Sequence, residues 1–363
     1  MSKKDQVTAI LVDDQEESLL YADRLTKSGL PCNKLKPLKQ AQDLVNSIRQ
    51  GEYDVVILDY RLDDSNEVAY RGGTVAAQLK EALPDLPVVL LTSEAKLRQS
   101  LEHNPQIYGL FDLRLLKEEL QRPEQWKLQA TRIRDLALGY RAITTQVGES
   151  SKGTEAAAWS ALAKLLAATA EEEQTLPQFC QGPAPTRTTE IAGWLNELRS
   201  YPGVLLSEAH VRVLFGLSEQ AFKEPAVQKA LQKTRYTGVF SELEQRWWRS
   251  RVSELLRDIA GEHALGTAEE RVGALSRKLK KRLEADCCVV CQGGQIDRVC
   301  HRCGQAVDPR HIVRAVVDSR PAWAEPPQVC FLCIRTGRAE QVRFASGSEG
   351  LIDDLRNEGA TER

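Results

Sequence analysis

Two sets of side chains in this chain are placed to do chemistry: carboxylates at the ends of apolar runs, and cysteines in repeated pairs. Asp59 closes the run Val55, Val56, Ile57, Leu58, and Asp13 and Asp14 close a second run from Val7 to Val12. Short unbroken runs of this kind read as strands buried on both faces of a parallel sheet. Ligand chemistry in such sheets collects at the carboxyl ends of the strands. If the two strands are neighbours, the three carboxylates meet at one edge, an arrangement suited to a divalent cation. A carboxylate there can also act as a nucleophile.

Seven of the nine cysteines fall between Cys287 and Cys333, as Cys288-x-x-Cys291, Cys300-x-x-Cys303 and Cys330-x-x-Cys333 with Cys287 beside the first pair. Each pair offers two thiolates from one tight turn, and two pairs close a tetrahedral Zn²⁺ site of the structural kind. The first residues, Met1 to Gln6, are polar with no apolar run behind them, so a cytoplasmic protein and metal rather than disulfides are expected. Three pairs do not divide into complete four-cysteine sites. Either one pair stays free, or a second ion recruits Cys287, His301 or His311. Residues 271 to 345 carry 14 basic and 7 acidic side chains, an excess that could meet nucleic acid, an acidic protein or nothing.

These groups need elements to position them. The 363 residues, 42% of them apolar, allow two or three domains with separate cores. A net charge of −2 and a pI near 6.3 do not by themselves suggest a nucleic-acid or membrane-surface protein. Residues 1–140 alternate strand and helix. Strands are expected at Val7–Asp14, Lys34–Leu38, around Asp59, at Val88–Leu91 and somewhere in Ile107–Leu116. Helices are expected at Glu16–Ser28, Ala41–Gln50, Thr74–Leu83, Ala95–Glu102 and Glu124–Leu138. Five such units in series predict an α/β fold with a doubly wound five-stranded parallel sheet.

With that order of elements, residues 5–140 resemble the receiver domain of two-component response regulators. The resemblance rests on Asp13 and Asp14 after strand one, Asp59 after strand three, Thr92 after strand four and a basic residue after strand five. It implies that Asp59 accepts a phosphoryl group from a histidine kinase, with Mg²⁺ held by Asp13, Asp14 and Asp59. Thr92 and a lysine would then bind the new phosphate. We take the lysine to be Lys117, which ends the apolar run. Arg114 has the family's usual spacing from Thr92, but a guanidinium does not replace a compact ammonium without changing geometry. On the Lys117 register the family's aromatic residue three places earlier is replaced by Arg114. The loop after Asp59 also departs from the family, reading Arg61, Leu62, Asp63, Asp64 before Gly72 and Gly73. The blander reading is an acidic pair serving as helix N-cap and first-turn acid, with Thr92 a mere strand former.

Beyond the receiver segment the sequence divides into a linker at 141–154, a helical region at 155–284, a cysteine-rich zinc module at 285–345 and a polar tail at 346–363. The helical region reads as helix without strands, with a helix at Glu155–Ala170, a proline-containing loop at Gln174–Thr188 and a long helix from about Ser241 to Ile259. Trp247 and Trp248 among Arg246, Arg249 and Arg251 could stack on nucleic-acid bases, but this section is net acidic and core burial is the plainer account. No catalytic cluster, recognition helix or membrane-spanning run stands out. The expectation is a kinase-fed receiver protein that is not an enzyme, acting through protein contacts or as a phosphate sink among other receivers of its pathway. It looks like the receiver proteins of Detocs-type antiviral defence systems. The alternatives are a transcriptional regulator that reads nucleic acid through the zinc module, and an enzyme hidden in the helical region.

Overall fold

Buried β-branched and leucine side chains build the first unit. The computed structural model describes residues 6–64, 67–93, 109–150, 154–180, 183–316, 321, 323–340 and 342–361. Strands β1 (Ala9–Val12), β2 (Cys32–Leu35), β3 (Val55–Asp59), β4 (Val88–Thr92) and β5 (Leu113–Leu116) form one sheet in the order β2-β1-β3-β4-β5. Every neighbouring pair is parallel. All residues of β1, β3 and β4 are buried, as strands covered on both faces require. Helices α1 (Ser18–Lys27), α2 (Ala41–Gln50), α3 (Gly72–Ala82) and α4 (Pro123–Ser150) accompany the sheet. Leu44, Val45 and Ile48 of α2 and Val75, Ala76 and Leu79 of α3 pack on Ile10, Val56 and Leu58. The doubly wound parallel sheet expected from the sequence is therefore present. The helix expected at Ala95–Glu102 lies outside the described residues.

The expected linker is corrected in part. Helix α4 does not stop at Leu138 but continues through Ser150, because Ile133, Leu136, Ala137, Tyr140 and Ile143 extend one buried stripe along it. Helix α5 (Glu155–Leu166) follows, capped at its start by the Thr154 hydroxyl and ended by Ala167 in the left-handed conformation. Residues 1–168, 184–193 and 237–244 make up one compact unit and the remainder a second. Residues 155–168 thus belong with the sheet rather than with the later helices.

The second unit overturns several expectations. Helix α6 (Ala170–Cys180) has Pro177 inside it and runs into the stretch from Gln174 on, where a loop was expected. The region is not free of strands, since β6 (Leu205–Leu206) pairs antiparallel with β7 (Trp247–Trp248). The long helix from Ser241 shortens to Arg249–Ala260 because the two tryptophans are taken up by that ladder. Both are 1% exposed. Trp247 meets Phe222 edge-on, and Arg251 lies 5.1 Å over the Trp248 ring. The aromatic pair is core, which removes it as a base-stacking surface.

The boundary at 284 is crossed by one apolar cluster. Val213 and Ala268 from the helical part are buried with Cys288, Cys300, Cys330 and Cys333, and Arg212 reaches Asp286 at 2.9 Å. Around the cysteines run β8 (Arg298–Val299), β9 (Ala306–Val307), β10 (Ile312–Val316), β11 (Gln328–Cys330) and β12 (Arg343–Phe344). β8 pairs with β9, and β10 lies between β11 and β12. The tail is not a loose polar segment: residues 349–361 form a helix (Glu349–Thr361) that buries Ile352 and Leu355 in the same cluster. No described helix is long and apolar enough to cross a membrane.

Candidate functional site

The register of β1 against β3 sets Val12 opposite Leu58, so the next residues of the two strands, Asp13 and Asp59, come together at the carboxyl edge. Asp13 is 0% exposed, Asp59 3% and Thr92, the last residue of β4, 1%. Lys117 follows β5 directly, and its backbone N–H donates to Thr92 O at 2.9 Å. From there its Nζ lies 2.7 Å from Asp59 Oδ1 and 3.3 Å from Asp13 Oδ2. The remaining oxygens are held by local backbone. Gln15 N–H donates to Asp13 Oδ1 at 2.7 Å, and Arg61 N–H to Asp59 Oδ2 at 2.8 Å. Asp14 is half-buried beside them.

Electrostatics at this edge are tense. Burial, and then the charge of Asp59, raise the Asp13 carboxyl above its ordinary value, with Lys117 only partly offsetting them. Burial works against the Lys117 ammonium, but the charges of Asp59 and Asp13 outweigh it and hold its pKa above normal. Among the described residues the buried Thr92 hydroxyl oxygen has no hydrogen-bond partner, an arrangement that suits a site awaiting an acceptor. Asp13 and Asp59 crowd two carboxylates into a buried corner, and carboxylate oxygens are the donors that Mg²⁺ takes.

Arg114 is not brought to this edge. It lies within β5 on the exposed side, opposite Leu90 of β4, while the strand ends at Leu116 and delivers Lys117. Phe111 packs near Tyr60 and Leu90. The sequence missed the clamp on the loop after Asp59. Asp63 accepts from Arg61 Nε at 3.1 Å and from Arg71 Nε at 3.2 Å, and Asp64 pairs with Arg61 at 2.8 Å. The loop is closed by Gly72 N–H donating to Tyr60 O at 2.9 Å. A Cβ on Gly72 would stand 2.3 Å from Asp59 O. The alternation of Arg and Asp around those glycines was the signal available.

In the second unit the thiols of Cys300, Cys303, Cys330 and Cys333 all lie within 4.8 Å of one another. Cys300 is 3.8 Å from Cys333, and Cys303 is 3.8 Å from Cys330. The combination left open by the sequence is therefore the second pair with the third, a donor set that fits a closed tetrahedral Zn²⁺. Cys288 and Cys291 group instead with His311. Cys287 and His301 do not join; the Cys287 thiol donates to Gln292 Oε1 at 3.1 Å.

No protein-family model matches this chain, and no curated protein is similar to it. Solved structures resemble its first third. The response regulator TrrA of Thermotoga maritima, in complex with Mg²⁺ and BeF, is 19% identical, with 33% of this chain and 98% of that one covered and a TM-score of 0.25. The receiver domain of NtrX from Brucella abortus is 19% identical, with 35% and 98% covered and a TM-score of 0.28. The receiver domain of a Bacteroides fragilis response regulator is 26% identical, with 34% and 94% covered and a TM-score of 0.26. The strand order β2-β1-β3-β4-β5, with acids after β1 and β3, is the flavodoxin-like doubly wound order.

Proposed function

We propose that the first unit is a phosphoacceptor switch fed by a histidine kinase, with Asp59 as the residue modified. The observation that carries this is Lys117 Nζ bridging Asp59 and Asp13 beside a buried, unpartnered Thr92 hydroxyl. An Asp59 carboxylate oxygen attacks phosphorus on the kinase phosphohistidine. The P–O bond forms as the P–N bond breaks, and the imidazole departs with the bonding pair and takes up a proton. Mg²⁺ held by Asp13, Asp14 and Asp59 would neutralise the charge spread over the phosphoryl oxygens. Lys117 then pairs with a phosphoryl oxygen in place of Asp59 Oδ1, and Thr92 gains its acceptor. Loss of the Lys117 contact with Asp59 Oδ1 is the local change that a docking face can sense.

For output, we favour protein contacts or a phosphate sink over an enzyme or a nucleic-acid reader. Burial of Trp247 and Trp248 and the closed set of four cysteines support this. Incubation with a small phosphodonor and Mg²⁺ should label Asp59 and leave Asp59→Asn unlabelled. In cells, Asp59→Ala should raise phosphate flow to any other receiver served by the same kinase. Label on Asp54 or Asp63 instead would refute the site. Silencing of the pathway by Asp59→Ala, or steep salt-dependent DNA affinity, would refute the output.

A further inference from the structure

Two of the cysteine turns are built alike. In the first, Cys288 N–H donates to Gly293 O, Gln292 N–H donates to Cys288 O, and Gln292 takes a φ of 60°. In the second, Cys300 N–H donates to Gln305 O, Gly304 N–H donates to Cys300 O, and Gly304 takes a φ of 69°. The hydrogen bonds recur at the same offsets, and so does the left-handed residue. A non-glycine residue is strained in that conformation, yet the first turn holds it with Gln292. The second turn serves the four-cysteine group. The first, with the same construction, presents Cys288 and Cys291 to His311, whose Nδ1 is 3.6 Å from Cys288 Sγ. The His311 ring is held edge-on against Phe331, 5.7 Å between centroids, next in sequence to Cys330.

We infer that Cys288, Cys291 and His311 form a second Zn²⁺ site, with three protein ligands and water in the fourth position. The donor set is that of zinc, two thiolates and an imidazole. Asp308 lies three residues before His311, as Cys288 lies three before Cys291, but it does not join the group. Its carboxylate is committed elsewhere: it accepts from Arg310 N at 2.9 Å, Arg310 Nε at 3.0 Å and Arg310 Nη2 at 2.6 Å. Among the described residues no further His, Cys, Asp or Glu joins the three. Cys291 is exposed, so the open position faces solvent and the ion exchanges there. The two ligand sets also interleave along the chain. Cys300 and Cys303 fall between Cys291 and His311, and His311 falls between Cys303 and Cys330. Two ions so placed tie each segment to one that is distant in sequence.

Purified full-length protein should carry two zinc ions per chain by elemental analysis. Chelator should release them in two phases, the three-ligand site first. His311→Ala should retain one zinc and lose the fast phase. His311→Cys should restore two, and Cys287→Ser should keep two. If His311→Ala does not fold, Cys291→Ser, at an exposed position, should likewise retain one. With cobalt in place of zinc, His311→Cys should strengthen the thiolate charge-transfer band. One zinc per wild-type chain, two zincs kept in both His311→Ala and Cys291→Ser, or loss of one in Cys287→Ser would each overturn the site. None of these outcomes depends on phosphorylation of Asp59.

Discussion

The Lys117 ammonium stands 2.7 Å from Asp59 Oδ1, so the carboxylate proposed as phosphoacceptor is already neutralised at rest by the group that would later bind its phosphate. Removing the ammonium should cost more in transfer than in binding. Lys117→Ala should slow phosphoryl uptake from a small phosphodonor on the order of 10²-fold, the usual effect of deleting one preorganised charge partner. Lys117→Arg should not restore it, because a planar guanidinium cannot sit between Asp13 and Asp59 as an ammonium does. An unchanged uptake rate in Lys117→Ala would remove Lys117 from the site.

Asp13 should be a liability without metal. Its carboxyl pKa is raised in the folded protein by burial and by Asp59. Between the ordinary value of 3.8 and that raised value, the folded chain holds a proton that the unfolded chain has lost. Stability therefore rises as pH falls through this window, and the penalty is complete only above the raised value. Lys117, also raised, contributes fully below its ordinary pKa of 10.5 and loses that contribution as pH rises through the folded value. In chelator at pH 7, Asp13→Asn should raise the melting temperature by about 2–4 °C, the shift that roughly 1 kcal/mol produces in a unit of this size. The gain should shrink towards pH 4. A lower melting temperature at pH 7 would show that the Lys117 pairing outweighs the crowding.

Tyr140 anchors α4 to the sheet. Its hydroxyl donates to Asp112 Oδ1 at 2.6 Å, while Asp112 Oδ2 accepts from Lys80 Nζ at 2.6 Å and Val88 N–H at 2.8 Å. Tyr140→Phe removes the hydrogen bond to this half-buried carboxylate, worth about 1.5–3 kcal/mol, together with the one that the hydroxyl accepts from Lys80 Nζ at 3.3 Å. The denaturant midpoint should fall with an unchanged m-value.

Gly72 is required by contact rather than by its dihedral angles. With a Cβ only 2.3 Å from Asp59 O, Gly72→Ala must push α3 away from β3, at roughly 1–3 kcal/mol as overpacking usually costs. The same displacement should slow labelling of Asp59 even at temperatures where the protein remains folded. Labelling at the wild-type rate would show that the helix can yield without disturbing the acid.

Stripping zinc should damage more than the cysteine section. Cys300→Ser with Cys303→Ser should lower zinc content and loosen the helices carrying Val213 and Ala268, which share its buried cluster. Hydrogen exchange at residues 208–215 and 268–279 should accelerate, while Asp59 still accepts phosphate. Protection unchanged in those helices would mean that their core stands without the metal.

The sheet and its acids were legible because apolar runs ending in Asp13, Asp59 and Thr92 report burial and position at once. Lys117 over Arg114 could be argued only through chemistry, since spacing favoured Arg114; the strand ends at Leu116 and sets the Lys117 ammonium 2.7 Å from Asp59. Pro177 misled, because a helix tolerates it where packing of residues such as Leu176 supports the turn. The paired tryptophans misled for a similar reason. A two-residue ladder between Leu205–Leu206 and Trp247–Trp248 is set by partners forty residues apart, and no local period reveals it. His311 could be named only as one of three candidates, because the fold, not the spacing, aims its ring at Cys288.

The long reach between Cys303 and Cys330 also has a consequence during synthesis. A ribosome adds roughly 5–20 residues per second, so the thiols of the second turn leave it a few seconds before their partners exist. The sheet around Asp59 is complete by then, and its folding needs no metal from the cysteines. A cell short of zinc would thus accumulate chains finished at the front and bearing open thiols behind, exposed to oxidation and to proteases. Abundance of this protein should follow the zinc supply of the cell even when its kinase is silent.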